Sequence, residues 1–153
     1  MTDVALQLGE GETLVPDGEL VLRQICGWML QGGALQTSAF GSSTADAGMP
    51  SYSRESVASA QDARDWHNEH AKSESIAVMG LTVAEILEEE VFVIDDTAAP
   101  LEPDEIRAPG HCFIDYRETP KVLERSIRFR LFQKATERGL IPTVDQAEAS
   151  TLF

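Results

Sequence analysis

The chain has 153 residues, 26 Asp and Glu against 12 Lys and Arg, and a formal net charge of −14. That length fits one domain with a core of its own, and that charge disfavours nucleic acid and anionic membrane while favouring a basic protein partner. Hydrophobic residues are 42% of the chain and charged residues 25%, the balance of a globular protein and not of an acidic disordered tail.

In chain order, residues 1–14 are weakly patterned and read as a flexible N-terminus, with Gly9-Glu10-Gly11-Glu12 as a solvated turn. Met1-Thr2-Asp3-Val4 lacks the basic-then-apolar layout of a secretory leader. No apolar run approaches the ~20 residues of a membrane span. The expectation is therefore a cytoplasmic protein whose Cys26 and Cys112, both in apolar surroundings, are buried and reduced. Pro16-Asp17-Gly18 marks a turn. Residues 19–25 read as a strand or a short helical turn, which periodicity alone does not separate. Residues 28–40 read as a hairpin closed by Gly32-Gly33, a pair suited to the positive φ angles of a tight turn. A loop rich in Ser, Gly and Ala follows to Pro50.

Residues 53–72 are expected to be a helix capped by Ser53 or Ser56, with Val57, Ala60, Ala63, His67 and Ala71 along one small-residue face. Residues 75–81 read as a buried strand. Thr82-Val83-Ala84-Glu85 has capping-box spacing and predicts a short helix over 83–89. A β-branched strand is predicted over 91–94, an acidic, Pro-rich loop over 95–110, and another strand over 111–116. The longest helix starts at Thr119-Pro120 and ends at Gly139, with Leu123, Ile127, Leu131 and Ala135 recurring every four residues. Residues 142–153 read as an acidic tail. The expected fold is α+β: a single domain over 15–141, with a mixed or antiparallel sheet of four to six strands and two main helices packed on it.

Candidate chemistry is sparse. His67 and His70 lie one turn apart on the predicted helix, a spacing that lets both reach one metal ion if His111 or Asp115 completes the site, but they lack the His-Glu-x-x-His pattern. His111 opens an apolar strand after a Pro-Gly turn, and Cys112 beside it points to the opposite face, so the two do not form a nucleophile–base pair. No serine sits in Gly-x-Ser-x-Gly, no glycine-rich phosphate loop exists, and no cofactor motif is present. Eight of the twelve basic residues fall between Arg107 and Arg138. On an acidic molecule those on the last helix, Lys121, Arg125, Arg128, Arg130 and Lys134, are expected to compensate the acidic loop near 95–105 or to face solvent.

The ordered segments Leu22-Arg23-Gln24-Ile25, Gln36-Thr37-Ser38-Ala39-Phe40, Ser51, Val78-Met79-Gly80-Leu81-Thr82-Val83-Ala84-Glu85 and His111-Cys112-Phe113-Ile114-Asp115 resemble the landmarks of a family of small bacterial proteins. That family carries no established activity. The resemblance covers about residues 20–140 and implies that Arg23, Ser38, Ser51 and His111 are the polar positions that matter.

Two functional expectations follow. The first is a non-enzymatic interaction protein, of the kind that serves as an immunity protein, antitoxin or defence accessory. It would present Glu88, Glu89, Glu90, Asp95, Asp96, Glu102, Asp104 and Glu105 to a basic protein partner. The alternative is an enzyme acting on a small ligand or nucleotide, in which Arg23 supplies charge, Ser38 and Ser51 orient, and His111 moves a proton. It requires those four side chains to share one cavity.

Overall fold

The computed structural model describes residues 7–153. Its strands are β1 (Thr13–Leu14), β2 (Leu20–Cys26), β3 (Leu30–Gln31), β4 (Ala34–Leu35), β5 (Ser51–Arg54), β6 (Ser75–Thr82), β7 (Val93–Asp95), β8 (His111–Ile114) and β9 (Leu140–Ile141). Its helices are α1 (Ala60–His70), α2 (Val83–Leu87), α3 (Lys121–Arg138) and α4 (Ala149–Leu152). Seven strands form one sheet in the order β1-β7-β8-β5-β2-β6-β9, while β3 and β4 make a separate ribbon. Every pairing in the sheet is antiparallel. The domain is α+β with two main helices, as expected, but the sheet exceeds the expected four to six strands. The surplus comes from β1 and β9, two residues each, too short to leave a period in the sequence.

The spine is β2 against β6, in register from Leu20↔Thr82 to Ile25↔Ala77. Alternation along β2 sends Val21, Arg23 and Ile25 to one face and Leu22 and Gln24 to the other. On the first face Val21 and Ile25 join Tyr52, Met79, Leu81, Cys112 and Ile114 in the main core, which Ile127, Leu131 and Ala135 of α3 close. On the second face Leu22 and Val78 meet Ala58, Ala60 and Ala63. Small side chains there let α1 lie near the sheet, and the helix covers only part of that face.

Several expected elements are displaced. Residues 51–54 are a central strand, not the start of a helix; α1 begins at Ala60, where the Ser59 hydroxyl accepts from the Asp62 amide at 3.1 Å. The long hairpin shrinks to the β3–β4 ribbon, whose Gly32 and Gly33 have φ of +59° and +83°. Tight 3-10 turns at Gly27–Met29 and Thr37–Phe40 flank it. The capping box forms as read, Glu85 N–H donating to Thr82 Oγ1 and Thr82 N–H to Glu85 Oε1, and α3 stops at Gly139 with φ +83°.

Three basic residues of α3 reach α2 and its following turn and not the 95–105 loop, while Lys121 and Arg125 face solvent. Arg130 pairs with Glu89 at 2.6 Å, Arg138 with Glu85 at 2.9 Å and Lys134 with Glu88 at 3.9 Å. Residues 9–12 form a turn that leads into β1, and the expected flexibility of residues 1–6 lies outside the described residues. The segment after Pro142 lies on the body: Arg64 donates to Thr143 Oγ1 and to the Val144 and Asp145 carbonyls, the Ala147 amide donates to the Ile76 carbonyl, and Leu152 is buried. Among the described residues no helix is long and apolar enough to cross a membrane.

Candidate functional site

The part of the sheet face that α1 leaves uncovered carries three polar side chains in a line. Strands β5 and β8 pair Ser51 with Phe113 and Ser53 with His111, so Ser51, Ser53, His111 and Phe113 share this face. His111 Nε2 lies 3.0 Å from Ser51 Oγ. Strand β7 pairs Asp95 with Cys112, which sets Asp96 just past the strand end, and Asp96 Oδ1 lies 2.5 Å from His111 Nδ1. An ionised carboxylate only accepts, so His111 Nδ1–H donates to Asp96. In the neutral ring Nε2 is then the acceptor, and Ser51 Oγ–H donates to it. The side chains of His111 and Asp96 are 20% and 17% exposed, and Ser51 is exposed at the end of the line. The Arg107 guanidinium stands 3.8 Å from the same Asp96 oxygen and donates to the Ala99 carbonyl.

The neighbouring carboxylate does something else. Asp95 accepts from Arg54 Nη1 at 2.7 Å and from the Thr97 amide and hydroxyl. Burial alone would raise its pKa, but the Thr97 donors and Arg54 outweigh burial and hold the carboxyl below the usual range. Arg54 also pairs with Glu19, which its hydrogen bond holds low in turn.

A cleft of about 620 Å³ opens over the relay between α1 and the 101–108 loop, and Arg23, Ser51, Asp96 and His111 all line it. The ladder between β2 and β5 pairs only Val21↔Arg54 and Leu22↔Ser53. Beyond that point Arg23, 6% exposed, bridges the two strands, donating Nη1 to the Ser51 carbonyl and Nε to the Ala39 carbonyl, each at 2.8 Å. Its guanidinium carbon sits 5.3 Å from the centroid of the Tyr52 ring. Gln24 also lines the cleft; its Oε1 accepts from Ser75 Oγ at 2.6 Å, which leaves Nε2 as a buried donor with no protein partner. Trp28, Leu101 and Ile106 are exposed apolar side chains at the rim.

Three of the four positions implied by the family resemblance therefore share one cavity. Ser38 does not line it; it sits in the Thr37–Phe40 turn, where its carbonyl accepts from the Gly41 amide. The His67–His70 pair separates. His67 Nε2 lies 2.8 Å from the Ser73 carbonyl and 3.5 Å from Cys26 Sγ, and burial pulls its imidazole below the usual range despite the Ser73 bond. His70 Nδ1 bonds the Trp66 carbonyl of its own helix while its ring stacks on Trp66. Among the described residues no group of three His, Cys, Asp or Glu side chains is placed to hold a metal ion. Cys26 and Cys112 are both buried and unpaired, and burial pushes the Cys112 thiol far up.

The eight acids expected to face a partner divide. Asp95 is buried against Arg54, Asp96 holds His111, and the Glu89 side chain is only 9% exposed beside Arg130. Glu88, Glu90, Glu102, Asp104 and Glu105 remain exposed. Sequence reasoning grouped Asp96 with the surface acids and passed over Gln24 as a site residue. The Asp95-Asp96 doublet at the end of a β-branched strand was the available signal, since alternation turns adjacent side chains to opposite faces. No family model, curated protein or solved structure matches the chain.

Proposed function

We propose that this protein is a small serine-dependent acyl hydrolase in which Ser51 is the nucleophile, His111 the general base and Asp96 the group that fixes the imidazole. The observation that carries the reading is the unbroken line Ser51 Oγ–His111 Nε2, 3.0 Å, and His111 Nδ1–Asp96 Oδ1, 2.5 Å, at the floor of a solvent-accessible cleft. Ser51 Oγ attacks the carbonyl carbon of an ester and passes its proton to His111 Nε2. The carbon–oxygen bond to the leaving group breaks as that proton moves to the departing oxygen. Water then attacks the acyl-serine, gives a proton to His111, and Ser51 regains it as the acid leaves. Acyl transfer is favoured over phosphoryl transfer because the arginines that line the cleft, Arg23 and Arg107, already hold the Ala39, Ser51 and Ala99 carbonyls and the Asp96 carboxylate, and so make a poor clamp for three phosphoryl oxygens.

The test is reaction with a fluorophosphonate, followed by intact mass and peptide mapping. One adduct on Ser51 is expected, absent in Ser51→Ala and about 100-fold slower in His111→Ala. A parent protein that stays unmodified at Ser51 overturns the reading.

The second reading, an interaction protein for a basic partner, is favoured by the exposed carboxylates Glu102, Asp104 and Glu105 on one loop of a molecule of net charge −14. It predicts an association rate with a cationic protein that falls steeply with salt; a rate indifferent to ionic strength counts against it.

A further inference from the structure

We propose that the cleft seats an uncharged, apolar acyl chain against Trp28, so that the esters taken by Ser51 carry acyl groups longer than acetyl and without charge. The proposal rests on the hydrolase reading and adds the substrate class. The relay fixes which way the substrate runs. The leaving oxygen takes its proton from His111 Nε2, so it lies on the His111 side of Ser51 Oγ. The acyl chain then runs the other way. Sheet order sets β5 and β8, which carry Ser51 and His111, between β2 and β7. The far side of Ser51 is therefore the β2 side. There the tight turn Gly27–Met29, which follows β2, brings Trp28 into the lining of the cleft.

The surface on that side is apolar and open. Trp28 is 54% exposed, and the half-buried Met49 and Trp66 line the same cavity, Met49 two residues before the nucleophile. The charged groups are spoken for. Arg23 leaves β2 on the core face and donates to the Ala39 and Ser51 carbonyls. Asp46 accepts from the Ser43 amide and hydroxyl and from the Gly48 amide. His67, 3.5 Å from Cys26 Sγ at this end of β2, is kept neutral by burial. A carboxylate on the chain would meet no exposed cation here, on a molecule whose net charge of −14 already repels it. The cleft of about 620 Å³ lies inside the range of roughly 300–1,000 Å³ usual for small-molecule pockets, whose walls are mostly apolar.

The experiment measures kcat/KM of the full chain on para-nitrophenyl acetate, butyrate and octanoate and on the para-nitrophenyl monoester of succinate, each rate taken as the excess over Ser51→Ala. A rise of about tenfold from acetate to butyrate is expected, from two further buried methylenes. The succinate monoester, a chain of butyrate length ending in a carboxylate, is expected to react at least about tenfold more slowly than butyrate. Trp28→Ala should bring the butyrate-to-acetate ratio close to one and Trp28→Phe should keep most of it. Because Trp28 is exposed, both variants should unfold at the parental midpoint, which separates a lost chain contact from a lost fold. A flat series, a rise that survives Trp28→Ala, or a succinate monoester as good as butyrate overturns the proposal. If fluorophosphonate marks Ser51 but the ester series is flat or shows no turnover, the acyl site fails alone; if no adduct forms, the hydrolase reading itself has failed.

Discussion

Replacing Arg64 by Met should detach the C-terminal segment and lower the stability of the whole domain by about 3 kcal/mol. Arg64 is 6% exposed and donates to four acceptors: the Ser75 carbonyl at 3.1 Å, Thr143 Oγ1 at 2.9 Å, the Val144 carbonyl at 2.6 Å and the Asp145 carbonyl at 3.2 Å. Hydrogen bonds to a charged donor contribute roughly 1.5–3 kcal/mol each, but only while the acceptor has no alternative. The acceptors on residues 143–145 lie at the surface and regain water. Ser75 is fully buried, and its carbonyl would lose the guanidinium, with Asn68 the remaining side-chain donor at a long 3.4 Å. An orphaned carbonyl costs about 1–3 kcal/mol. Release of residues 143–153 adds part of the burial of Leu152, worth up to roughly 2 kcal/mol. For a chain of this size the sum corresponds to a Tm drop of about 6–12 °C. Urea unfolding gives the global loss, and hydrogen exchange at Ala147, whose amide bonds the Ile76 carbonyl, gives the local one. An Arg64→Met protein with the parental midpoint and parental protection at Ala147 would refute this account of how the segment is held.

Two further outcomes are expected. Asp96→Asn should slow fluorophosphonate labelling of Ser51 by 100-fold or more with little change in thermal midpoint, because the variant amide no longer forces the Nδ1–H tautomer; labelling at the parental rate would reduce Asp96 to a surface charge. Glu19 and Asp95 both titrate below their ordinary values, so their stabilisation is present above the unfolded pKa of about 4 and is lost as pH falls through the lower folded values. Urea midpoints measured from pH 6 down to pH 3 should therefore fall, and Glu19→Gln should flatten that fall; equal slopes would show that the Glu19–Arg54 pair contributes nothing.

What was legible in the sequence had a local cause. The box at Thr82 and Glu85 and the stop at Gly139 depend on near neighbours, and each forms where expected; residues 20–26, open between strand and helical turn, are decided by pairing with β6. Strand β5 was hidden because Ser51-Tyr52-Ser53-Arg54 looks polar: its hydrophobic content is one tyrosine, and its membership of the sheet is decided by partners at 20–26 and 111–114. The site was half legible. Arg23, Ser51 and His111 were marked by resemblance, but their company was not, because the distances in sequence between Ser51, Asp96 and His111 carry no period. Asp96 was indistinguishable from the other seven acids expected to face a partner until β7 was laid on β8. Ser38 fell away because the Thr37–Phe40 turn presents the Ala39 carbonyl, not the serine hydroxyl, to Arg23.

The adjacent pair Asp95 and Asp96 also disciplines assembly of the sheet. In the native alignment one carboxylate answers a guanidinium on one side and the other answers an imidazole on the reverse. A slip of β7 by a single position would bring Ile94 to the guanidinium or Thr97 to the imidazole, so that one of the two loses its carboxylate. A slip in either direction is thus penalised at this one junction, and the alignment that escapes the penalty is the one that brings Asp96 to His111.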